Sequence, residues 1–341
     1  MSQKHIRTVF MGSDPIALPF LKSLPESLPA IELVGVFTQP DRPKGRGQKL
    51  QANAIKEWAT EENLIVHQPA RCGLENENWL ATNEVDLILV MAYGQILKAS
   101  LIDTPSIGTF NLHASLLPRL RGASPIHTAI ASGEEKTGVS LMRIVPALDA
   151  GPFCAQEEIS ITPTTTASSL IEEIAVASVG LIKRALPSVL DHSAQWTEQA
   201  AGDVTYCRRI FKEDAQLDFN QTAASLEQRI RAFRPWPGSV FEYKGTILKI
   251  GSAVVVREAD QPVGTLVCEE SEVTLACGDG ALRLTALQRP GGRLLPAKEF
   301  LLGFPLESGT VIASKPMAPL VALKAFPWEW RPGDEDKESI V

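Results

Sequence analysis

An amide and an imidazole two residues apart, Asn111 and His113, close a short apolar run and lead straight into Ala114-Ser115-Leu116-Leu117-Pro118. The side-chain period of an extended strand is two, so both groups share one face. A polar pair placed where a strand gives way to a loop points into a cleft. A carboxylate, Asp149, follows in Ala147-Leu148-Asp149-Ala150-Gly151. Amide, imidazole and carboxylate together can stabilise an oxyanion and move a proton without a metal or a covalent nucleophile. Taken singly, Asn111 would be a turn former, His113 a packed structural histidine and Asp149 an ordinary turn residue. Their combination with Ser115-Leu116-Leu117-Pro118 favours the catalytic reading.

The elements that must position these groups alternate between strand and helix. Residues 6–12 read as a buried strand turning at Gly12, and a helix starts near Pro15 with Ser13 or Asp14 as its cap. Residues 31–38, 64–67, 85–91, 107–112, 138–145 and 153–161 read as further strands. Residues 51–62 and 166–190 read as helices, the second carrying Pro187 late in its length. Short aliphatic strands separated by helices predict a doubly wound, mostly parallel α/β sheet. The polar stretch 191–207 reads as a linker. Beyond it, an amphipathic helix over 222–233 ends at Arg234-Pro235-Trp236-Pro237-Gly238. From residue 239 to about 312 only short strands are expected (246–250, 253–256, 264–267, 273–276 and 281–287), which predicts a small antiparallel, OB-like β-barrel. The domains expected are thus 1–190 and 208–313. The proline-rich tail 314–341 is of unassigned role, with Trp328 and Trp330 favouring a docked segment and an acidic, disordered end.

Bulk properties remove several function classes. At 341 residues the chain is long enough for two domains. Its net charge of −7 argues against indiscriminate coating of nucleic acid, although a local basic patch is compatible with it. The five cysteines are scattered, form no Cys-x-x-Cys and do not combine with the five histidines at zinc spacing, so no metal is expected. Reduced thiols, no signal-like amino terminus and no apolar stretch of membrane-spanning length make a cytoplasmic protein without a membrane partner the expectation. A monomer is expected.

Several stretches together resemble one family. They are Phe10-Met11-Gly12-Ser13-Asp14-Pro15, Val90-Met91-Ala92-Tyr93-Gly94-Gln95-Ile96-Leu97, residues 111–125 and Leu148-Asp149-Ala150-Gly151. In the second domain Lys212-Glu213-Asp214-Ala215, Ile230-Arg231-Ala232-Phe233-Arg234-Pro235-Trp236-Pro237-Gly238 and Cys277-Gly278-Asp279-Gly280 belong with them. The chain resembles the methionyl-tRNA formyltransferases, within the wider group of enzymes that use 10-formyltetrahydrofolate. It departs from their pattern at Ala150 and Pro152, where the family usually has Thr and Asp.

The resemblance implies transfer of a formyl group from 10-formyltetrahydrofolate to the α-amine of methionine on initiator methionyl-tRNA. Asn111 would donate to the oxyanion and His113 would donate from one ring nitrogen. Asp149 would accept from the other, or shuttle the proton through water. It also implies a folate-binding segment at Ser115, Leu116, Leu117 and Pro118, where the leucines could wall a flat heterocycle. Residues 90–97, at another strand end, either line the same pocket or are ordinary sheet core. The basic loop Asp41-Arg42-Pro43-Lys44-Gly45-Arg46-Gly47-Gln48-Lys49 lacks a dinucleotide or Walker signature. It suits phosphate contact with an RNA end, and the resemblance implies tRNA binding by Arg42, Lys44, Arg46 and Lys49. In the barrel Arg257, Arg283, Arg289, Arg293 and Lys298 are candidate phosphate contacts without individual assignment. The alternatives are a formyltransferase for a small amine such as a nucleotide sugar or glycinamide ribonucleotide, a 10-formyltetrahydrofolate hydrolase, or an inactive RNA-binding module.

Overall fold

A computed structural model describes residues 5–44, 47–256, 261–327 and 329–333. The chain divides into two compact units that interleave in sequence. The first comprises Met1–Ala123, Thr137–Ser160 and Ile171–Val204, the second Ser124–Lys136, Ile161–Leu170 and Thr205–Val341. The linear reading of the sequence did not anticipate that residues 124–136 and 161–170 pack with the second unit.

The first unit holds a seven-stranded sheet: β1 (Ile6–Gly12), β2 (Ile31–Phe37), β3 (Val66–His67), β4 (Leu87–Met91), β5 (Gly108–His113), β6 (Lys136–Arg143) and β7 (Phe153–Ser160). Their spatial order is β7-β6-β5-β4-β1-β2-β3. The pairs from β5 through β3 run parallel, and β5–β6 is antiparallel. The mostly parallel α/β sheet expected is therefore present. All five residues of β4 are buried, as a central strand covered on both faces requires. From β1 the chain builds outward through β2 and β3, then returns to place β4 on the opposite side of β1. That reversal makes the carboxyl edge of β1 and β4 the crevice where ligands of such sheets bind. Gly12 ends β1 there because a Cβ would lie 2.5 Å from the Met91 carbonyl oxygen. Asp14, rather than Ser13, caps the following turn, accepting from the Ile16 amide at 3.0 Å. Helix Leu74–Thr82 had no periodic signal in the sequence, its surface being largely polar.

Against this sheet His67 stacks on Phe37 at 4.5 Å and meets the edge of Trp79 at 4.3 Å. Its Nε2 is buried with no hydrogen-bond partner among the described residues. Burial lowers its pKa below the usual 6.5, with Glu75 opposing the shift.

The second unit wraps an antiparallel sheet on helix Ala223–Ala232, whose Ala223, Leu226 and Ile230 join the strand residues in one core. Its strands are β8 (Ser239–Tyr243), β9 (Thr246–Val256), β10 (Leu266–Glu269), β11 (Glu272–Ala276), β12 (Ala281–Gln288) and β13 (Leu295–Pro296). They are ordered β8-β9-β12-β11-β10, with β13 on β12, as a small barrel-like domain. The two strands expected over 246–256 are one, irregular in register around Ser252. The expectation of strands alone up to residue 312 is corrected by helix Ala297–Gly303, which buries Ala297 and Phe300.

The described tail is docked. Val321–Ala322 pairs with Tyr206–Cys207, and Ser314 Oγ accepts from the Phe219 amide at 3.0 Å. Trp330 is 4% exposed beneath the Arg208 guanidinium, 4.6 Å from its ring centre. Trp328 and the acidic end lie outside the described residues. Arg208 also donates twice to Asp214 at 2.7 and 2.8 Å, and Arg229 donates to the same carboxylate at 3.3 Å. Burial draws Arg229 down to about 10, so it stays charged at neutral pH.

Two outcomes follow from these packings. Asp214→Ala strands two buried guanidinium groups and should cost about 3–5 kcal/mol in urea unfolding; a loss under about 1 kcal/mol would show the cluster to be solvated. For His67 the unfolded chain binds more protons than the folded one, so stability is full above the unfolded pKa and declines as pH falls through it. His67→Phe should therefore narrow the difference in Tm between about pH 7.5 and about pH 5.5. An undiminished difference would assign that acid sensitivity elsewhere.

Candidate active site

β5 delivers Asn111 and His113 to the carboxyl edge on one face, with Asn111 between Val90 of β4 and Met142 of β6. Asn111 is partly exposed, and its carboxamide makes no hydrogen bond among the described residues. Two N–H donors and an acceptor are therefore unspent on a strand end. His113 is different: it is 5% exposed and both its nitrogens face protein atoms. Nε2 lies 2.9 Å from the Leu120 carbonyl oxygen and Nδ1 lies 3.7 Å from Asp149 Oδ2. A carbonyl only accepts, so Nε2 carries a hydrogen. In the neutral ring Nδ1 is then a lone pair facing a carboxylate across a gap longer than a hydrogen bond. Of the two roles expected of Asp149, accepting from a ring nitrogen or shuttling the proton through water, the first finds no Nδ1–H to accept from in this neutral tautomer.

Asp149 sits at φ +45°, a left-handed conformation that Asp tolerates better than most residues. Its Oδ2 accepts from the Gly122 amide at 2.8 Å, so backbone holds the carboxylate. Gly151 follows because a Cβ there would overlap the Arg143 carbonyl oxygen. The loop between His113 and Gly122 thus returns to the strand end twice, through the Leu120 carbonyl and the Gly122 amide.

Ser115 to Pro118 forms the first half of that loop, through a cis Leu117–Pro118 peptide. The Ser115 hydroxyl donates to the Arg119 carbonyl at 2.7 Å, inside the loop itself. Leu117 is 3% exposed and belongs to the core, whereas Leu116 and Pro118 are partly exposed. Ser140 Oγ donates to the Ser115 carbonyl and accepts from the Leu117 amide, and Gln156 reaches both the Leu117 carbonyl and Ser140 Oγ. Of the four residues, Leu116 and Pro118 keep apolar surface free for a ligand. Nearby, burial pushes the Cys154 thiol up to about 11, which keeps it protonated and a poor nucleophile.

The basic loop is a hairpin pairing Arg42–Lys44 with Lys49–Gln51. Arg42 and Lys49 are exposed; Arg46 and the Lys44 side chain lie outside the described residues. The hairpin's root is fixed to the same carboxyl edge. Gln39 donates to the Tyr93 carbonyl after β4, and its amide donates to Ser13 Oγ after β1. Asp41 binds Lys56 at 2.7 Å and Gln68 at 2.8 Å, and these two hydrogen bonds, Gln68's first, lower its pKa. Val90, Met91, Tyr93 and Leu97 are core, with Tyr93 Oη on the buried Cys72 sulfur at 3.2 Å. In the second unit Arg283 pairs with Glu272, while Arg289, Arg293 and Lys298 are exposed and Arg257 lies outside the described residues.

Gln199 was invisible to sequence reading because it lies in the stretch read as a linker. Its Nε2 donates to the carbonyls of Asp149 and Gly151 at 2.8 and 2.7 Å, and its Oε1 accepts from Arg121 Nε at 2.9 Å. The same stretch pairs Thr197 with Phe153 and stacks Trp196 on Phe110 at 5.6 Å, so part of it is a docked strap. No type or spacing signal marks such residues. Among the described residues, no three His, Cys, Asp or Glu side chains converge as a metal site, and no helix is long and apolar enough to cross a membrane.

Comparison with known proteins identifies the family. Residues 7–186 match the formyl transferase family and residues 209–305 its C-terminal domain. The chain is 42% identical to a methionyl-tRNA formyltransferase of Methylococcus capsulatus, covering 87% of this chain and 96% of that one. It is 39% identical to that of Herminiimonas arsenicoxydans, covering 89% and 99%. Among solved structures, an N-formyltransferase from Helicobacter canadensis in complex with folinic acid and dTDP-3-aminofucose aligns with a TM-score of 0.62 at 19% identity, over 84% of this chain and 99% of that one. HypX from Aquifex aeolicus with tetrahydrofolic acid aligns at 0.56 and 17%, over 91% and 51%. The fold is shared with these, and the sequence relation is with the former group: the chain belongs to the formyl transferase family.

Proposed function

We propose that the protein transfers the formyl group of 10-formyltetrahydrofolate to the α-amine of methionyl initiator tRNA. The observation that carries the acceptor is identity of 42% and 39%, sustained over both domains, to proteins named methionyl-tRNA formyltransferase. The sugar N-formyltransferases share the fold at 19–20% identity and so leave the acceptor open. For the donor, two fold neighbours were solved with a formylated or reduced folate, in keeping with a folate-derived formyl group here. Leu116 and Pro118 would contact the folate beside the free carboxamide of Asn111.

The chemistry divides among three side chains. Attack of an amine on a formyl carbon develops negative charge on oxygen and leaves a proton to be removed. Asn111, with its N–H groups unspent, donates to that oxygen. His113 acts as the base through Nδ1, since Nε2–H is already committed to the Leu120 carbonyl. The imidazolium then has the Asp149 carboxylate 3.7 Å from Nδ1 and the Leu120 carbonyl on Nε2, so its charge is compensated at both ends. Protonated His113 can return the proton to the leaving nitrogen. Asp149 orients and compensates instead of removing the proton itself. Arg42, Lys44, Arg46 and Lys49 serve as phosphate contacts for the acceptor end, where the net −7 chain needs a local positive patch.

The deciding assay incubates the protein with 10-formyltetrahydrofolate and methionyl initiator tRNA, with elongator tRNA, amino sugars and water as competing acceptors. N-formylmethionyl-tRNA is the expected product; formylated sugar or free formate in its place would overturn the acceptor. Asn111→Ala should lower kcat by about 10²–10³-fold, and near-normal turnover would remove its role toward the oxyanion. The double variant Arg42→Ala, Lys49→Ala should raise KM for tRNA and flatten its logarithmic salt slope by up to about 2, with kcat at saturating tRNA kept. A salt slope equal to that of the wild type would end the phosphate assignment.

A further inference from the structure

We propose that Gln199 is a positioning residue for the reaction: its side-chain amide fixes the loop that sets Asp149 opposite His113. The proposal rests on the catalytic reading of Asp149 given above. Asp149 projects from an irregular turn, at positive φ, between β6 and β7, and a carboxylate on such a turn has no intrinsic reason to stay within 4 Å of one imidazole nitrogen. Backbone bonds of the turn itself are few: the Ala150 amide reaches the Ala147 carbonyl at 3.3 Å, and the Arg143 amide reaches the Pro152 carbonyl at 2.9 Å. The two carbonyls flanking Ala150, those of Asp149 and Gly151, are instead gathered by the two hydrogens of one amide, Gln199 Nε2. The third contact closes a ring. Gln199 Oε1 accepts from Arg121 Nε, and the residue after Arg121, Gly122, donates its amide to Asp149 Oδ2.

One side chain thereby links the two strand-end loops that carry opposite sides of the His113–Asp149 pair. Leu120 and Gly122 come from one loop, Asp149 and Gly151 from the other. Gln199 is itself anchored by the Thr197–Phe153 backbone pair and by Trp196, which stacks on the Phe110 ring while the Arg143 guanidinium lies 4.9 Å from Trp196 and 5.8 Å from Phe110. The residue type is dictated by the contacts. Two carbonyls demand a donor with two hydrogens and the arginine demands an acceptor, which only a carboxamide supplies at one planar end. Glutamate keeps the acceptor but sets a carboxylate against two carbonyl oxygens, and methionine keeps the shape and loses both functions.

The test uses the full chain in four forms besides wild type: Gln199→Met, Gln199→Glu, Asp149→Asn and the double variant Asp149→Asn, Gln199→Met. Steady-state kinetics are measured against pH, together with thermal melting and hydrogen exchange of the Gly122 amide. Misplacing a catalytic group by about 1 Å costs on the order of 10²-fold, so Gln199→Met and Gln199→Glu should each lose about that much in kcat. KM for donor and acceptor should change little, the pH–kcat profile should shift, and Gly122 exchange should accelerate. The double variant should be no slower than Asp149→Asn alone, because Gln199 acts through Asp149. Multiplied losses in the double variant, or a Gln199→Met enzyme with wild-type kcat and pH profile, would overturn the proposal. A lowered melting temperature with unchanged kcat would do the same, since it marks a purely structural contact. If Asp149→Asn is crippled while Gln199→Met is healthy, only the positioning role fails. If Asp149→Asn itself turns over normally, the catalytic reading of Asp149 fails and takes this role with it.

Discussion

A buried imidazole with one nitrogen committed to a backbone carbonyl is the constraint on which the site depends. The Leu120 carbonyl fixes which His113 nitrogen carries hydrogen, and therefore which remains to accept a proton. With Nε2 spent, the reaction proposed above uses the Nδ1 side, which faces the carboxylate. In that proposal Asp149, 3.7 Å from Nδ1, compensates an imidazolium without replacing the substrate as partner. The Gly122 amide holds the carboxylate directly, and the Gln199 side chain holds the turn that carries it. Asn111 stands outside the network and keeps its donors free, the condition for a group that acts on charge formed during the reaction.

The edge of the sheet supplies the rest. Parallel strands bring their carboxyl ends to one side, so Ser13, Gln39, Tyr93 and His113, distant in sequence, become neighbours of a single rim. The hydrogen bonds from Gln39 to Tyr93 and Ser13 tie the basic hairpin to that rim. The basic hairpin and the His113–Asp149 pair are thus both rooted at one edge of the same sheet.

Residue type and spacing were enough to read the strands of the parallel sheet, because aliphatic runs bounded by turns have few other uses in a soluble chain. They also pointed to Asn111, His113 and Asp149 as a group, and the fold brings His113 and Asp149 within 3.7 Å at the strand end that carries Asn111. They were not enough to orient the His113 ring, which depends on where the Leu120 carbonyl falls after a loop folds back. Leu117, expected as a pocket wall, is only 3% exposed, and a leucine before proline has the same composition in a core or at a pocket. Gln199 and Trp196 were hidden in a polar stretch where neither periodicity nor charge distinguishes a strap from a linker. Helix Ala297–Gly303 was missed because its seven residues are too short to establish a period.

Interleaving of the two units has a consequence for synthesis on the ribosome. Helix Pro125–Ala131 packs against helix Ala223–Ala232, so its apolar face is made long before its partner exists. At roughly 5–20 residues per second the nascent chain carries that face unsatisfied for some seconds. The amino-terminal half is therefore synthesised with one apolar helix face waiting for a segment made later.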